Sequence, residues 1–303
     1  MVKNMLEKKF LIIDGNSLAC RALFAHNEKM GADLHTFDGK LTGGIYRFIS
    51  MLDKILHQIQ PTHVVVGWDI RGKTFRHDIY SEYKANRKHK SDDIYIQFDD
   101  IKNILELIGI KNVGIDLYEG DDIVGTYTTL SQADKNYIVS GDKDEFQLVS
   151  DKTFIISPKH GFSDFELVTK EIIAEKYTIL AEQFIDFKVL MGDIGDNIPG
   201  IEKCGEKTAA KLLNHYGNIE NIIQNIDTIN IKGIGKTVIE NMKKWAQQSE
   251  MIKKLVTIKC DVEVPYTFDE CEINLDWDNA MDIFTELEFN SFKRKVNNNE
   301  FYK

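Results

Sequence analysis

LIIDG, residues 11–15, ends an apolar run on an aspartate, and VVVGWD (64–69) and YIVSGDKD (137–144) repeat the pattern. Unbroken apolar runs of this length read as strands buried on both faces of a parallel sheet. In such sheets the ligand site lies beyond the carboxyl ends of the strands, so Asp14, Asp69, Asp142 and Asp144 are expected to meet at one sheet edge. Five more acids join the pattern: Glu119, Asp121 and Asp122 in YEGDDIVGT (118–126), and Asp193 and Asp196 in GDIGDNIPG (192–200). Two like charges about 4 Å apart repel by roughly 4 kcal/mol at an effective dielectric of about 20, so such a cluster needs protons or cations. An all-oxygen ligand set suits Mg²⁺ or Mn²⁺ rather than zinc.

Outward from these strand ends the chain alternates strand and helix. Strands are expected at residues 10–13, 64–68, 111–115, 137–139 and 153–156. Ile45, Phe48, Ile49, Leu52, Ile55 and Leu56 form one helical stripe, and Phe98, Ile101, Leu105 and Ile108 another. This predicts an α/β fold, a mostly parallel central sheet flanked by helices, over residues 1–170. Residues 171–303 read as a mostly helical second domain, with segments near 170–177, 181–191, 206–215, 219–226, 236–247 and 278–287. A further strand is considered only at 256–259, and the polar tail NNNEFYK is expected to fray.

At 303 residues, 43% hydrophobic and 28% charged, the composition is that of a soluble globular protein large enough for two domains. No run is long enough to span a membrane, and the apolar stretch before Asp14 is too short for a signal peptide, so a cytoplasmic protein is expected. Cys20, Cys204, Cys260 and Cys271 show no zinc spacing and are expected as reduced thiols. The net charge of -10 seems adverse to a nucleic-acid partner, but the nine clustered carboxylates account for nine of those charges. Between residues 71 and 90, seven basic residues (Arg71, Lys73, Arg76, Lys84, Arg87, Lys88, Lys90) face two acids, Asp78 and Glu82. Phe75, Tyr80 and Tyr83 alternate with the charges, the mixture used to stack bases and neutralise a single strand. A solvated surface helix is the plainer reading of that run. His63, His77 and His89 form no ligand set, and no Ser-His-Asp arrangement or GxxxxGK[ST] loop is present.

Taken singly, the acidic motifs have plain readings too: Asp121 and Asp122 suit a helix N-terminus, and Asp142 and Asp144 suit a turn and cap. After Asp196, Pro199, Gly200 and Gly205 lead into a helix opening on Glu206, Lys207 and Thr208, where backbone amides could face a phosphate. An ordinary helix–turn–helix corner fits as well. CGEKTAAKLL (204–213) and GIGKTVIENM (233–242) resemble each other.

Together, LIIDGNSLACRALFA, DGKLTGGIYRFI, VVVGWDIRGKTFRHDIYSEYKANR, YEGDDIVGT, SGDKDEFQLVSD and GDIGDNIPGIEKCGEKTAAKLL resemble, in order and spacing, the bacterial and phage 5′ nucleases, the flap endonuclease relatives that also form the N-terminal domain of DNA polymerase I. The resemblance implies a PIN-like core, a helical arch near residues 71–97 and a helix-hairpin-helix near 184–215. It implies two Mg²⁺ ions, with Mn²⁺ as a substitute: one held by Asp14, Asp69, Glu119, Asp121 and Asp122 with their supporting shell, the other by Asp142, Asp144, Asp193 and Asp196. Arg76 and Lys84 would engage the scissile phosphate, Tyr83 would stack near the threaded strand, and Arg21 and Arg87 would contact nucleic acid. Gly200, Lys203, Gly205, Lys207 and Thr208 would grip duplex.

Lys203-Cys204 stands where the family has its first hairpin glycine, which weakens the case for the K⁺ ion held there. Trp68 replaces a smaller aromatic, and only local repacking is expected from it. The implied function is 5′-3′ exonuclease and 5′-flap endonuclease action on DNA in primer removal or repair. The expected partner is DNA with a free 5′ end, with RNA–DNA hybrid also open. A free-standing monomer in the cytoplasm of a bacterial or phage-infected cell is expected. The alternatives are a catalytically weak branched-DNA-binding protein and RNase H-like primer removal.

Overall fold

The computed structural model describes residues 7–24, 34–87, 92–159 and 164–303; Lys88, His89 and Lys90 of the basic run lie outside them. The strands are β1 (Lys9–Asp14), β2 (His63–Gly67), β3 (Lys111–Val113), β4 (Lys135–Val139), β5 (Thr153–Pro158) and β6 (Phe165–Val168). They form one sheet in the order β3-β2-β1-β4-β5-β6, parallel except for β6, which runs antiparallel to β5. The strands read from apolar runs are those that form. The unforeseen β6 is a four-residue edge strand whose side chains are mostly half-buried or exposed, so it carries little apolar signal. Strand order reverses at β1, which lies between β2 and β4 and parallel to both, and its register sets Asp14 beside Gly67 and Ile13 beside Val139. Asp69 and Asp142 therefore leave the sheet at the same edge as Asp14, at a topological switch point.

The helices within the sheet domain are α1 (Gly15–Phe24), α2 (Gly43–Ile59), α3 (Phe75–Ile79), α4 (Asp92–Leu107) and α5 (Gly120–Leu130). Beyond them lie α6 (Lys170–Tyr177), α7 (Phe184–Met191), α8 (Glu206–Tyr216), α9 (Ile219–Gln224), α10 (Lys236–Trp245), α11 (Ser249–Val256), α12 (Met281–Glu286) and α13 (Asn290–Asn297). Alternation along β1 divides the core. Phe10 and Ile12 pack with residues of α5, α7 and α8 on one face, and Leu11 and Ile13 with those of α1, α2 and α4 on the other.

Two expectations are corrected. Residues 256–259 form no strand, because α11 runs up to Val256 and the chain beyond it joins no sheet. The tail does not fray: Phe301 is buried and stacks on Trp277 at 4.0 Å, and the Tyr302 amide donates to Asp53. Its two aromatics outweigh the polar NNNE before them. In the described part of the 71–97 segment α3 has five residues, turns follow it through residue 86, and α4 begins at Asp92. Those turns are pinned to the loop after α7, where the Lys84 amide donates to the Asp196 carbonyl, Asn86 Nδ2 to Ile194 and Asn197 Nδ2 to Glu82. Among the described residues no helix is long and apolar enough to cross a membrane.

Candidate functional site

A cavity of about 670 Å³ opens where the strand ends converge, and eight of the nine expected carboxylates line it: Asp14, Asp69, Glu119, Asp121, Asp142, Asp144, Asp193 and Asp196. The turns that carry them are stitched together. Asp14 Oδ1 accepts from the Ser17 amide, which tethers it to the start of α1, and Asp69 Oδ1 accepts from the Gly120 amide at 2.7 Å, at the start of α5. The Asp69 amide donates to Asn16, the Gly141 amide to Ser17 Oγ, and Ser140 Oγ to Asp14 Oδ2. Gly15 follows Asp14 because a Cβ there would lie 2.6 Å from the Trp68 ring. Trp68 is buried and donates to Asn112.

Charge compensation divides the cavity. Glu119 pairs with Lys84 at 2.7 Å, Asp196 with Lys84 and Arg87, and Asp144 and Asp193 share Lys188 at 2.5 Å each. Among the described residues Asp14, Asp69, Asp121 and Asp142 make no ion pair. Burial, and then the charge of Asp69, pushes the Asp14 carboxyl up to about 7. Burial and Asp142 push Asp144 up to about 6 against the pull of Lys188, while burial raises Asp121 well above the usual carboxylate range. Burial also disfavours charge on Glu119, but Lys84 and Arg76 overcome it and hold its pKa low.

Three expected site residues lie elsewhere than a phosphate could reach. Arg76 is 1% exposed, its guanidinium forking onto Asp122 at 2.7 and 2.8 Å while Nε donates to the Leu255 carbonyl. The expected phosphate contact is thus replaced by an internal brace between α3, α5 and the end of α11. Asp122, fully buried on the first turn of α5, is its partner and does not face the cavity. Tyr83 is also buried; its hydroxyl lies within donating distance of Glu119 Oε2 at 2.9 Å and Asp196 Oδ2 at 3.2 Å, so it links carboxylates rather than presenting a ring for stacking.

Lys84, Arg87 and Arg21 do line the cavity; Lys84 holds a left-handed backbone at φ 55°, and Arg21 donates to the Lys159 carbonyl. Sequence reasoning missed Lys188, whose signal was a lone cation in the apolar run FIDFKVLM of α7. Gly200 has a packing reason to be glycine, since a Cβ there would fall 1.9 Å from the Met191 carbonyl.

Among the described residues, no three His, Cys, Asp or Glu side chains converge tightly enough to hold one ion as they stand. The donor set nonetheless fits a hard divalent cation: it is all carboxylate, deeply set, and Asp121 Oδ1 is buried with no hydrogen-bond partner. Removing such cations has a predictable consequence. Asp144 and Asp14, at about 6 and about 7, stand above the roughly 3.9 of an unfolded aspartate. Protons bound more tightly by the fold stabilise it at low pH, and that contribution is lost as pH rises through the folded-state values. Metal-free protein should therefore melt at lower temperature at about pH 7.5 than at about pH 5, and Mg²⁺ should offset that loss at the higher pH. Melting curves in chelator that do not change with pH would contradict this.

The two similar glycine turns share one build. The Cys204 amide donates to the Ile201 carbonyl and the Ile234 amide to Ile231, with Lys203 (φ 68°) and Gly233 (φ 90°) both left-handed at the third position. The contacts are reciprocal: Lys211 Nζ on α8 donates to the Lys232 carbonyl, and Asn241 Nδ2 on α10 to the Glu202 carbonyl. Counted from Gly205 and Gly235, donors and acceptors occupy matching positions, so a local twofold relates the hairpins. The glycine that the resemblance placed in the first hairpin stands in the second. Lys203, Lys207, Lys232 and Lys236 are exposed, and among the described residues their ammonium groups have no partner. Thr208 is half-buried on the first turn of α8, and Gly205 is exposed with open space beside it.

Residues 9–178 match the family model for the 5′-3′ exonuclease N-terminal resolvase-like domain, and residues 179–279 that for the 5′-3′ exonuclease C-terminal SAM fold. The chain is 34% identical over 297 residues to a 5′-3′ exonuclease of Bacillus subtilis strain 168, covering 96% of this chain and 97% of that one. It is 36% identical over 298 residues to DNA polymerase I of Bacillus caldotenax, covering 96% of this chain but 32% of the polymerase, so it spans about a third of the length of such relatives. A bacteriophage T5 flap endonuclease solved in complex with DNA and metal ions matches with a TM-score of 0.65 at 21% identity, covering 95% of this chain and 98% of that one, a likeness of fold.

Proposed function

Because the chain belongs to the 5′-3′ exonuclease family, we propose that it is a divalent-metal-dependent 5′ nuclease that hydrolyses DNA at free 5′ ends and 5′ flaps, with a role in primer removal or repair. The observation that carries this reading is the cavity itself, where eight carboxylates face a basic turn and half of them make no ion pair among the described residues. We assign Asp14, Asp69, Asp121 and Asp142 to the half most in need of Mg²⁺ or Mn²⁺, and Glu119, Asp144, Asp193 and Asp196 to the half that lysines neutralise in part. Cations bound there would activate water and offset charge on the attacking and leaving oxygens.

The chain's own groups do the rest. Lys84, partly exposed on the cavity wall between Glu119 and Asp196, is the cation placed to meet a phosphate, with Arg87 and Arg21 along the rim. Arg76 and Tyr83 fix Glu119 and Asp122 from behind. Products should carry 5′-phosphate and 3′-hydroxyl ends.

The twofold hairpins supply the duplex grip in this reading, because both strands of a duplex are related by a similar dyad and the unpaired lysines suit its phosphates. At the first turn Lys203 brings its own positive charge where the resemblance implied K⁺. Lys84→Ala should lower the single-turnover rate on a 5′-flap substrate by about 10²-fold with affinity little changed. Lys203→Ala and Lys236→Ala should each weaken duplex affinity and reduce the salt slope by about one, at unchanged rate. If all three variants lowered only the rate, the division between cavity and grip would be wrong. Paired DNA-flap and RNA-primed substrates in the same assay separate DNA from hybrid preference.

A further inference from the structure

We propose that Glu145 is a tenth carboxylate of the site, a positioning group beneath Asp14 that strengthens cation binding in the uncompensated half of the cavity. The proposal rests on the metal-dependent reading above and extends it to a residue outside the motif positions carried over from the family. Glu145 lies on the short 3₁₀ turn Asp144–Leu148, is 0% exposed, and among the described residues neither of its oxygens has a hydrogen-bond partner. The nearby Ser140 hydroxyl donates to Asp14 at 3.3 Å and is at most shared with Glu145. Among the described residues Glu145 makes no ion pair, and the acids acting on it are Asp14, then Asp142 and Asp121.

A buried carboxyl with both oxygens unsatisfied is destabilising, and more so beside like charges. Its neighbour Phe146 packs into the apolar core, so a leucine at 145 would remove the penalty without asking anything new of the turn. Groups that weaken a fold in this way cluster at functional sites. Here the compensating ligand is defined by its surroundings: Asp14, Asp69, Asp121 and Asp142 line the half of the cavity whose carboxylates make no ion pair among the described residues, Glu145 lies buried behind them, and Asp121 Oδ1 is likewise unpartnered. Lys84, Arg87 and Lys188 are all committed to the other half. A hard divalent cation meets the deficit, and Glu145 adds negative charge behind Asp14.

The test is Mn²⁺ and Mg²⁺ binding to the whole protein without DNA, measured by calorimetry, together with melting curves. Glu145→Gln and Glu145→Leu should each weaken the tightest cation site by about tenfold. Both should raise the melting temperature of the metal-free protein and shrink the rise that Mn²⁺ produces. A merely structural role would lower both affinity and metal-free stability. Wild-type cation affinity in both Glu145 variants, with affinity lost in Asp121→Asn, overturns the role of Glu145 alone. Unchanged affinity in all three overturns the metal-site reading and this inference with it.

Discussion

Replacing Arg76 with methionine should destabilise the protein by about 3–5 kcal/mol, because it leaves the carboxylate of Asp122 buried without its counter-ion. Asp122 is fully buried and receives two of its hydrogen bonds from Arg76, the others coming from the Lys259 and Glu119 amides. The same guanidinium holds the Leu255 and Thr257 carbonyls, so its loss also loosens the end of α11 from α3 and α5. A melting-temperature drop of roughly 10 °C follows for a protein of this size. Arg76→Lys should recover little, since an ammonium cannot make the bidentate fork. Arg76→Met combined with Asp122→Leu should recover most of the loss, because no unpaired charge then remains. If Arg76 instead served the scissile phosphate, the single variant would melt like the wild type and lose only rate.

Asp121→Asn should act in the opposite sense on stability. Its carboxylate faces the cavity, one oxygen has no partner, and burial already disfavours its charge. Asparagine removes repulsion from the acids around it, so the metal-free variant should melt at or above the wild-type temperature. Cleavage should fall by on the order of 10³-fold, several kcal/mol of lost transition-state stabilisation, because the cation it helps to hold is weakened. Flap binding measured by anisotropy should be retained or tightened, as one negative charge near the phosphates is gone. A stable variant that binds and does not cut is the usual pattern at a functional site. One that cuts normally would remove Asp121 from the site.

The fold was legible because β1 and β2 carry continuous apolar runs and β4 ends in one, Tyr137–Val139, a pattern that suits a sheet covered on both faces. The carboxylates were legible for the same reason: a strand end fixes where the next residue goes. Cations were harder to read. Within the run 71–87 nothing local distinguishes Arg76, which turns inward to meet Asp122 forty-six positions later, from Lys84, which faces the cavity. Lys188 follows Asp186 in a largely apolar helix and Glu145 follows Asp144 in a short turn, and their partners or lack of them exist only in three dimensions. The docked tail depends on Trp277 and Phe301, twenty-four residues apart. The hairpin pair was visible as a weak internal similarity, whereas its twofold contacts required the side chains of Lys211 and Asn241.

The most direct measurement is product mapping on a duplex bearing a labelled 5′ flap, with the purified protein in Mg²⁺, in Mn²⁺ and in chelator. The predicted result is cleavage near the junction and stepwise from the 5′ end, giving 5′-phosphate and 3′-hydroxyl termini, only with divalent metal, and lost in Asp121→Asn. Intact flap in Mg²⁺ and Mn²⁺ despite normal binding, or equal cleavage in chelator, would contradict the account.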